Sequence, residues 1–121
     1  MLTDFYQTTY CTLTNGTLKA TVLLNAQHDI FKGHFPNNPI TPGVCMLQIF
    51  RELVEQNIHK KLFIKECSNV KFMALINPET HSELAITIAL QSFEDGYKMK
   101  ASAQFENTTA LKITAVLSEQ L

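Results

Sequence analysis

Cysteine is scarce in this sequence, and its three copies, Cys11, Cys45 and Cys67, are an odd number without C-x-x-C spacing. Neither a disulfide framework nor a zinc knuckle is therefore indicated, and a reducing compartment is the expected setting. The sequence also lacks a basic N-terminal region followed by an apolar stretch, and it has no run of about 20 apolar residues. We therefore expect a cytoplasmic protein that does not bind or span a membrane.

The sequence also lacks a large excess of positive or negative charge, because ten Lys and Arg residues are offset by eleven Asp and Glu residues. The basic residues are spread along the chain, which is not the pattern of a nucleic-acid-binding protein. No Ser/Gly-rich linker, low-complexity tract or internal repeat divides the 121 residues. The expectation is one domain over residues 1–121, large enough to bury a core without disulfides.

Apolar periodicity predicts one helix and several strands. From Pro42 to about Asn57 apolar residues recur at helical spacing, and proline is favourable in the first turn. Alternation predicts strands at residues 18–24, 84–90, 97–105 and 111–117, and two short apolar stretches lie within residues 62–76. One helix packed on antiparallel strands gives a two-layer α+β domain. The edge strands of such a sheet favour a dimer, in which a second copy covers an edge.

The most informative segment joins a histidine-bearing loop to the start of the predicted helix. It reads Gly33-His34-Phe35-Pro36-Asn37-Asn38-Pro39-Ile40-Thr41-Pro42-Gly43-Val44-Cys45-Met46-Leu47-Gln48. Three prolines restrict the backbone of the loop, and histidine is well suited to moving protons near neutral pH. The helix entry at Gly43 offers unpaired N–H groups that can polarise a carbonyl oxygen. A general base and an oxyanion site are therefore expected close together.

These residues resemble the loop and helix entry of the hotdog-fold 3-hydroxyacyl-[acyl-carrier-protein] dehydratases. The similarity continues at Asn69-Val70-Lys71-Phe72 and in the strands after Asp95-Gly96. It implies a curved antiparallel sheet wrapped around one long central helix, and two chains that share their active sites. It assigns removal of the C2 proton of the acyl thioester to His34, and binding of the thioester carbonyl to the N–H of Gly43. It assigns contacts with the acyl substrate to Phe35 and Val44. No metal or organic cofactor is implied.

The sequence departs from the family at Gln48, which occupies the helix position of the family's catalytic acid. An amide can form hydrogen bonds but cannot give up a proton near pH 7. The leading expectation is a homodimer that dehydrates (3R)-hydroxyacyl thioesters on acyl carrier protein or coenzyme A, with Gln48 positioning the hydroxyl or a water. Two alternatives stay open. One is a partner subunit whose acid comes from a homologue in a heterodimer, and the other is an acyl-thioester hydrolase.

Three charged residues follow Gln48 along the helix. Glu52 lies one turn later on the same face and is a candidate substitute acid. The favoured interpretation is a solvated face with an ion pair between Arg51 and Glu55. Cys45 lies in the first turn, where the helix dipole can lower a thiol pKa, but a small core residue is the favoured reading.

The remaining histidines and several large apolar residues carry weaker signals. No neighbouring residues in the sequence suggest a site at His28, His59 or His81, so we expect these histidines at the surface. A metal site formed by His28 with His34 fits no usual ligand spacing. An acyl tunnel and an ordinary core are equally compatible with five apolar residues. These are Phe31, Phe35, Phe50, Phe72 and Met73.

Overall fold

A computed structural model of the protein describes residues 4–31 and 40–120. His34 and Phe35, two of the predicted site residues, lie outside the described residues. The elements in chain order are β1 (Tyr6–Thr14), β2 (Thr17–Leu24), a short 3-10 turn (Asp29–Phe31), α1 (Gly43–Ile58), β3 (Leu62–Phe72), β4 (Glu83–Phe93), β5 (Gly96–Phe105) and β6 (Thr108–Glu119). The predicted α+β class is confirmed.

The six strands form one antiparallel sheet in the order β1-β2-β4-β5-β6-β3. Side chains on one face of this sheet are buried, as in the row where Leu18 is opposite Ile88 and Ala101 is opposite both Ile88 and Ile113. The next row along carries Lys19, Thr87, Ser102 and Lys112 on the outer face. This alternation is the period of two that the sequence shows, and it gives the sheet a single apolar face.

Helix α1 covers that apolar face. Pro42 precedes the helix in an extended conformation (φ −63°, ψ 143°), and His59 ends it in the left-handed region (φ 58°). The buried helical residues recur at three and four, and they are Cys45, Met46, Ile49, Phe50, Glu52, Leu53 and Val54. Each large apolar side chain buried in this way contributes roughly 1.5–3 kcal/mol. Replacing the fully buried Phe50 by alanine is expected to cost about 3–5 kcal/mol.

Two features of the sheet differ from the sequence-based prediction. Strand β1 was not predicted, because its side chains are mostly exposed or half-buried and supply little apolar alternation. Its β-branched and aromatic residues are nevertheless typical of strands. Residues 62–72 form one strand, in which the pairing with β6 shifts between Ile64 and Glu66 and again between Ser68 and Lys71. These irregularities explain why the pattern there suggested two short stretches.

Candidate active site

The entry of α1 presents backbone donors at the protein surface. The N–H groups of Cys45 and Met46 donate to the carbonyl of Pro42, at 3.0 and 3.3 Å. The helical pattern therefore does not use the N–H groups of Gly43 and Val44, which precede them at the positive end of the helix dipole. Val44 is 76% exposed. The N–H groups at this end of the helix can donate hydrogen bonds to a carbonyl oxygen, which is the role predicted for Gly43.

The aromatic ring of Phe72 closes one side of the helix entry. A Cβ atom built on Gly43 would lie 2.6 Å from Cζ of Phe72, so any larger residue at this position would push the ring away from the backbone. Phe72 is still 62% exposed, and Met73 and Leu75 beyond it are 43% and 70% exposed. An exposed apolar surface therefore adjoins the backbone donors of Gly43 and Val44.

Buried residue Thr41 lies two positions before the helix. Its N–H donates to the carbonyl of Ile76 at 2.8 Å, which ties the helix entry to the segment after β3. Its hydroxyl oxygen is buried without a hydrogen-bond partner among the described residues. No pattern in the sequence predicts this arrangement.

Gln48 takes part in a polar cluster with Glu52 and Tyr6. Nε2 of Gln48 donates to Oε2 of Glu52 at 3.1 Å, and the hydroxyl of Tyr6 donates to Oε1 of the same carboxylate at 2.8 Å. Burial, and then the hydrogen bond and negative charge of Glu52, raise the pKa of Tyr6 above its ordinary value of 10.0. The phenol therefore stays protonated and remains a donor to the carboxylate.

The prediction of a solvated face is wrong at Glu52, which is only 6% exposed. A side chain from β1 covers it, and the sequence analysis had no strand there. The predicted ion pair is confirmed, with Nη1 of Arg51 at 3.2 Å from Oε1 of Glu55. That pair also binds the start of β3, because Glu55 accepts from the N–H of Leu62 at 2.8 Å and Arg51 donates to its carbonyl at 3.4 Å.

Cys45 is a core residue. It is 3% exposed, and burial raises the pKa of its thiol, which opposes any activation by the helix dipole. The preference for a core role over a nucleophile is confirmed.

The predicted surface histidines fall into two groups. His59 is exposed as expected, but His81 is half-buried and stacks on Phe105 with ring centroids 4.1 Å apart. His28 is also half-buried, because its Nδ1 accepts from the N–H of Ile30 and its ring meets Phe5 edge-on. Within residues 4–31 and 40–120, no three His, Cys, Asp or Glu side chains are grouped as metal ligands would be.

The large apolar residues also divide between core and surface. Phe31 and Phe50 are buried in the core, whereas Phe72 and Met73 are exposed beside the helix entry. An open cavity of about 720 Å³ lies at the end of the β1–β2 pair, and Tyr6 contributes to its wall. Its other lining residues are Asp4, Gln7, Leu23, Leu24 and Asn25.

The structure therefore unites some of the predicted site residues and adds others. Gly43, Val44 and Gln48 lie along the first two turns of α1, as the spacing predicts. The cluster partner that the sequence analysis missed is Tyr6, although the Tyr, Thr and Cys residues of β1 were an available strand signal.

Comparison with known proteins decides the family. A family model described as "ApeI-like: ApeI dehydratase" matches residues 10–113. The chain belongs to the ApeI-like dehydratase family. The predicted hotdog dehydratase is thereby confirmed at the level of family and type of activity.

Individual relatives agree with this assignment. The chain is 29% identical over 114 residues to the 3-hydroxyacyl-[acyl-carrier-protein] dehydratase FabZ of Wolbachia pipientis wMel, covering 86% of this chain and 78% of the relative. It is 25% identical over 116 residues to FabZ of Rickettsia felis, covering 88% and 79%. Among solved structures, the dehydratase heterocomplex ApeI:P from Xenorhabdus doucetiae superposes with a TM-score of 0.78 at 18% identity, covering 93% of this chain and 96% of that chain. The fold of this ApeI-like protein is therefore the hotdog fold.

None of the helices within the described ranges has the length and apolar character needed to cross a membrane.

Proposed function

We propose that this ApeI-like protein dehydrates a (3R)-hydroxyacyl thioester, held on acyl carrier protein, to the trans-2-enoyl thioester. The relatives named for this reaction support the substrate class. The observation that carries the proposal is the helix entry, where the N–H groups of Gly43 and Val44 lie one to two turns before Gln48 on the same helix and donate to no backbone carbonyl among the described residues. We also propose the cytoplasm as its location, in keeping with three free cysteines.

The proposed chemistry is a β-elimination. The N–H of Gly43 hydrogen-bonds the thioester carbonyl, which stabilises the negative charge that develops when the C2 proton leaves. His34 takes that proton, the C2–C3 double bond forms, and the C3–O bond breaks. The imidazolium returns the proton to the departing hydroxyl, so water is the other product. Gln48 holds the hydroxyl in place, and Phe35 and Val44 contact the acyl group.

A second copy of the chain is part of the proposal. Strand β3 is at an edge of the sheet and pairs only with β6 among the described residues. Its exposed apolar side chains, together with those just beyond it, form what we call the β3 edge patch: Phe63, Val70, Phe72, Met73 and Leu75. Unpaired strand edges and contiguous apolar surface both favour association. Pairing of two chains along β3 would bring this patch and the adjoining helix entry into the interface.

The test is turnover of a 3-hydroxyacyl carrier-protein thioester by the purified protein. Wild type is expected to form the enoyl product, and His34→Ala is expected to lose about 10²–10⁴-fold in rate, the usual contribution of a general base. His59→Asn is the matched control, because His59 is exposed and its left-handed conformation suits asparagine. Release of the carrier thiol instead of an enoyl product, or no turnover in either direction by wild type, would contradict the proposal for the homodimer.

A second candidate function is a non-autonomous subunit of a heterodimeric dehydratase. It is favoured by Gln48, which cannot donate a proton, and by the heterocomplex found for the ApeI:P neighbour. In that case the homodimer is nearly silent, and co-expression with an acid-bearing homologue restores turnover. Native mass measurement must then detect the mixed dimer, and its absence would remove this candidate.

A further inference from the structure

Glu52 lies where an apolar residue would ordinarily pack. Its neighbours in the buried stripe of α1 are Ile49 and Leu53, both 0% exposed, while Glu52 is 6% exposed. Burying a carboxylate is unfavourable unless donors surround it. Here Tyr6 from β1 and Gln48 from the preceding helical turn each donate to one of its oxygens. The cluster thus ties together two elements that are remote in sequence.

The chemistry of the cluster fixes the direction of the Gln48 amide. A carboxylate accepts hydrogen bonds and does not donate them, so the amide atom that faces Glu52 must be the NH₂ group. The raised pKa of Tyr6 keeps the phenol protonated and therefore donating to the other carboxylate oxygen. The Oε1 oxygen of Gln48 then faces away from Glu52 and is left as an acceptor.

We propose that Glu52 is a positioning residue, which orients the Gln48 amide so that its oxygen accepts a hydrogen bond from the 3-hydroxyl of the substrate. This inference rests on the proposed function, since it places Gln48 beside C3 of the acyl group. Its consequence is selectivity for a donor at C3. A 3-hydroxyacyl group satisfies the amide oxygen, whereas a 3-ketoacyl group sets two acceptors against each other.

Replacing Glu52 by glutamine reverses this arrangement. The new side chain has one acceptor and one donor, so if its oxygen accepts from Tyr6, its NH₂ group faces Gln48. Gln48 must then turn its own oxygen toward residue 52 and its NH₂ group toward the substrate. Tyr6→Phe is the matched control, because it removes a hydrogen bond to one oxygen of Glu52 and keeps the carboxylate whose other oxygen accepts from Gln48.

The experiment measures affinity for two pantetheine amides, one carrying a 3-hydroxyacyl group and one a 3-ketoacyl group. Amides replace thioesters because their C2 protons are less acidic, so elimination does not consume the probe. Wild type and Tyr6→Phe are expected to prefer the 3-hydroxyacyl probe by about tenfold or more, equivalent to one well-made hydrogen bond. Glu52→Gln is expected to abolish or reverse that preference. Gln48→Met removes the amide and is expected to bind both probes equally.

Four results would overturn the inference. If Glu52→Gln folds and keeps the wild-type preference, the carboxylate does not set the amide direction. If Tyr6→Phe loses the preference as completely as Glu52→Gln, the effect is one of general packing around the cluster. If wild type binds neither probe, the proposed acyl site fails as well, which distinguishes that failure from the first two. Urea unfolding of each variant establishes that it is folded, and if Glu52→Gln is unfolded, an unchanged preference in Gln48→Met refutes the inference.

Discussion

Glu52 and Glu55 are three residues apart on one helix, yet they have different surroundings. Glu52 is nearly buried and accepts from Tyr6 of β1 and from Gln48. The side chain of Glu55 is 21% exposed, pairs with Arg51 and accepts from the backbone of Leu62. Residues three apart on a helix differ by about 60° in direction, which is enough to place one carboxylate toward β1 and the other toward β3. Glu55 therefore anchors the start of strand β3, whereas Glu52 holds the amide of Gln48.

Removing each carboxylate in turn should separate the two regions most clearly. Glu52→Ala leaves the Tyr6 hydroxyl and the Gln48 amide without their acceptor, and we expect it to lower the free energy of unfolding by about 2–4 kcal/mol. Glu55→Ala breaks a partly exposed ion pair and one bond to the backbone, with an expected loss of about 1 kcal/mol. Urea unfolding measures both, and equal losses would contradict the difference in surroundings.

Of the two glutamate regions, alkaline pH should affect that of Glu52 and not that of Glu55. The pKa of Tyr6 is raised in the folded protein, so the stability that its proton contributes is present below the unfolded value of 10.0 and is lost as the pH rises above it. Wild type should therefore lose stability above about pH 10 more steeply than Tyr6→Phe. At neutral pH, Tyr6→Phe is expected to lose about 1–2 kcal/mol, because a hydrogen bond to a charged group is removed. Parallel pH dependences in the two proteins would refute this.

Salt should weaken the ion pair of Glu55, and we expect this effect on stability to be smaller than those of the two preceding experiments. The coupling energy of Arg51 and Glu55 in a double-mutant cycle is expected to be about 0.5 kcal/mol at low ionic strength. It should fall toward zero near 1 M salt, where the Debye length is about 3 Å. The coupling of Tyr6 with Glu52 should change little, because the protonated Tyr6 phenol carries no charge and Glu52 is nearly buried. Loss of both couplings in salt would show that Glu52 is more accessible than its 6% exposure indicates.

Most of the fold could be predicted because apolar spacing reports burial. The helix predicted from Pro42 to about Asn57 runs from Gly43 to Ile58, and the strand predicted at residues 18–24 begins one residue earlier. Strand β1 escaped because it lies at the edge of the sheet, where few of its side chains reach the core. Edge strands are specified by backbone pairing, and the apolar pattern does not record that pairing.

Part of the candidate site could also be predicted, since Gly43 and Gln48 fall on one helix at known spacing. The burial of Glu52 could not, because it depends on Tyr6, which is 46 residues away in the sequence. An acidic residue beside Arg51 and Glu55 has the pattern of a solvated face until that contact is known. The roles of His34 and Phe35 stay predictions, since both lie outside the described residues.

The most direct test of the central claim is the rate at which Gln48→Glu dehydrates a 3-hydroxyacyl carrier-protein thioester, compared with wild type. The new carboxyl group would lie about 3 Å from that of Glu52, where two carboxyl groups hold a proton between them and can donate it to the leaving hydroxyl. The account predicts an enoyl product from wild type and a rate at least about tenfold higher from the variant. No enoyl product from either protein, with both folded and dimeric, would contradict it.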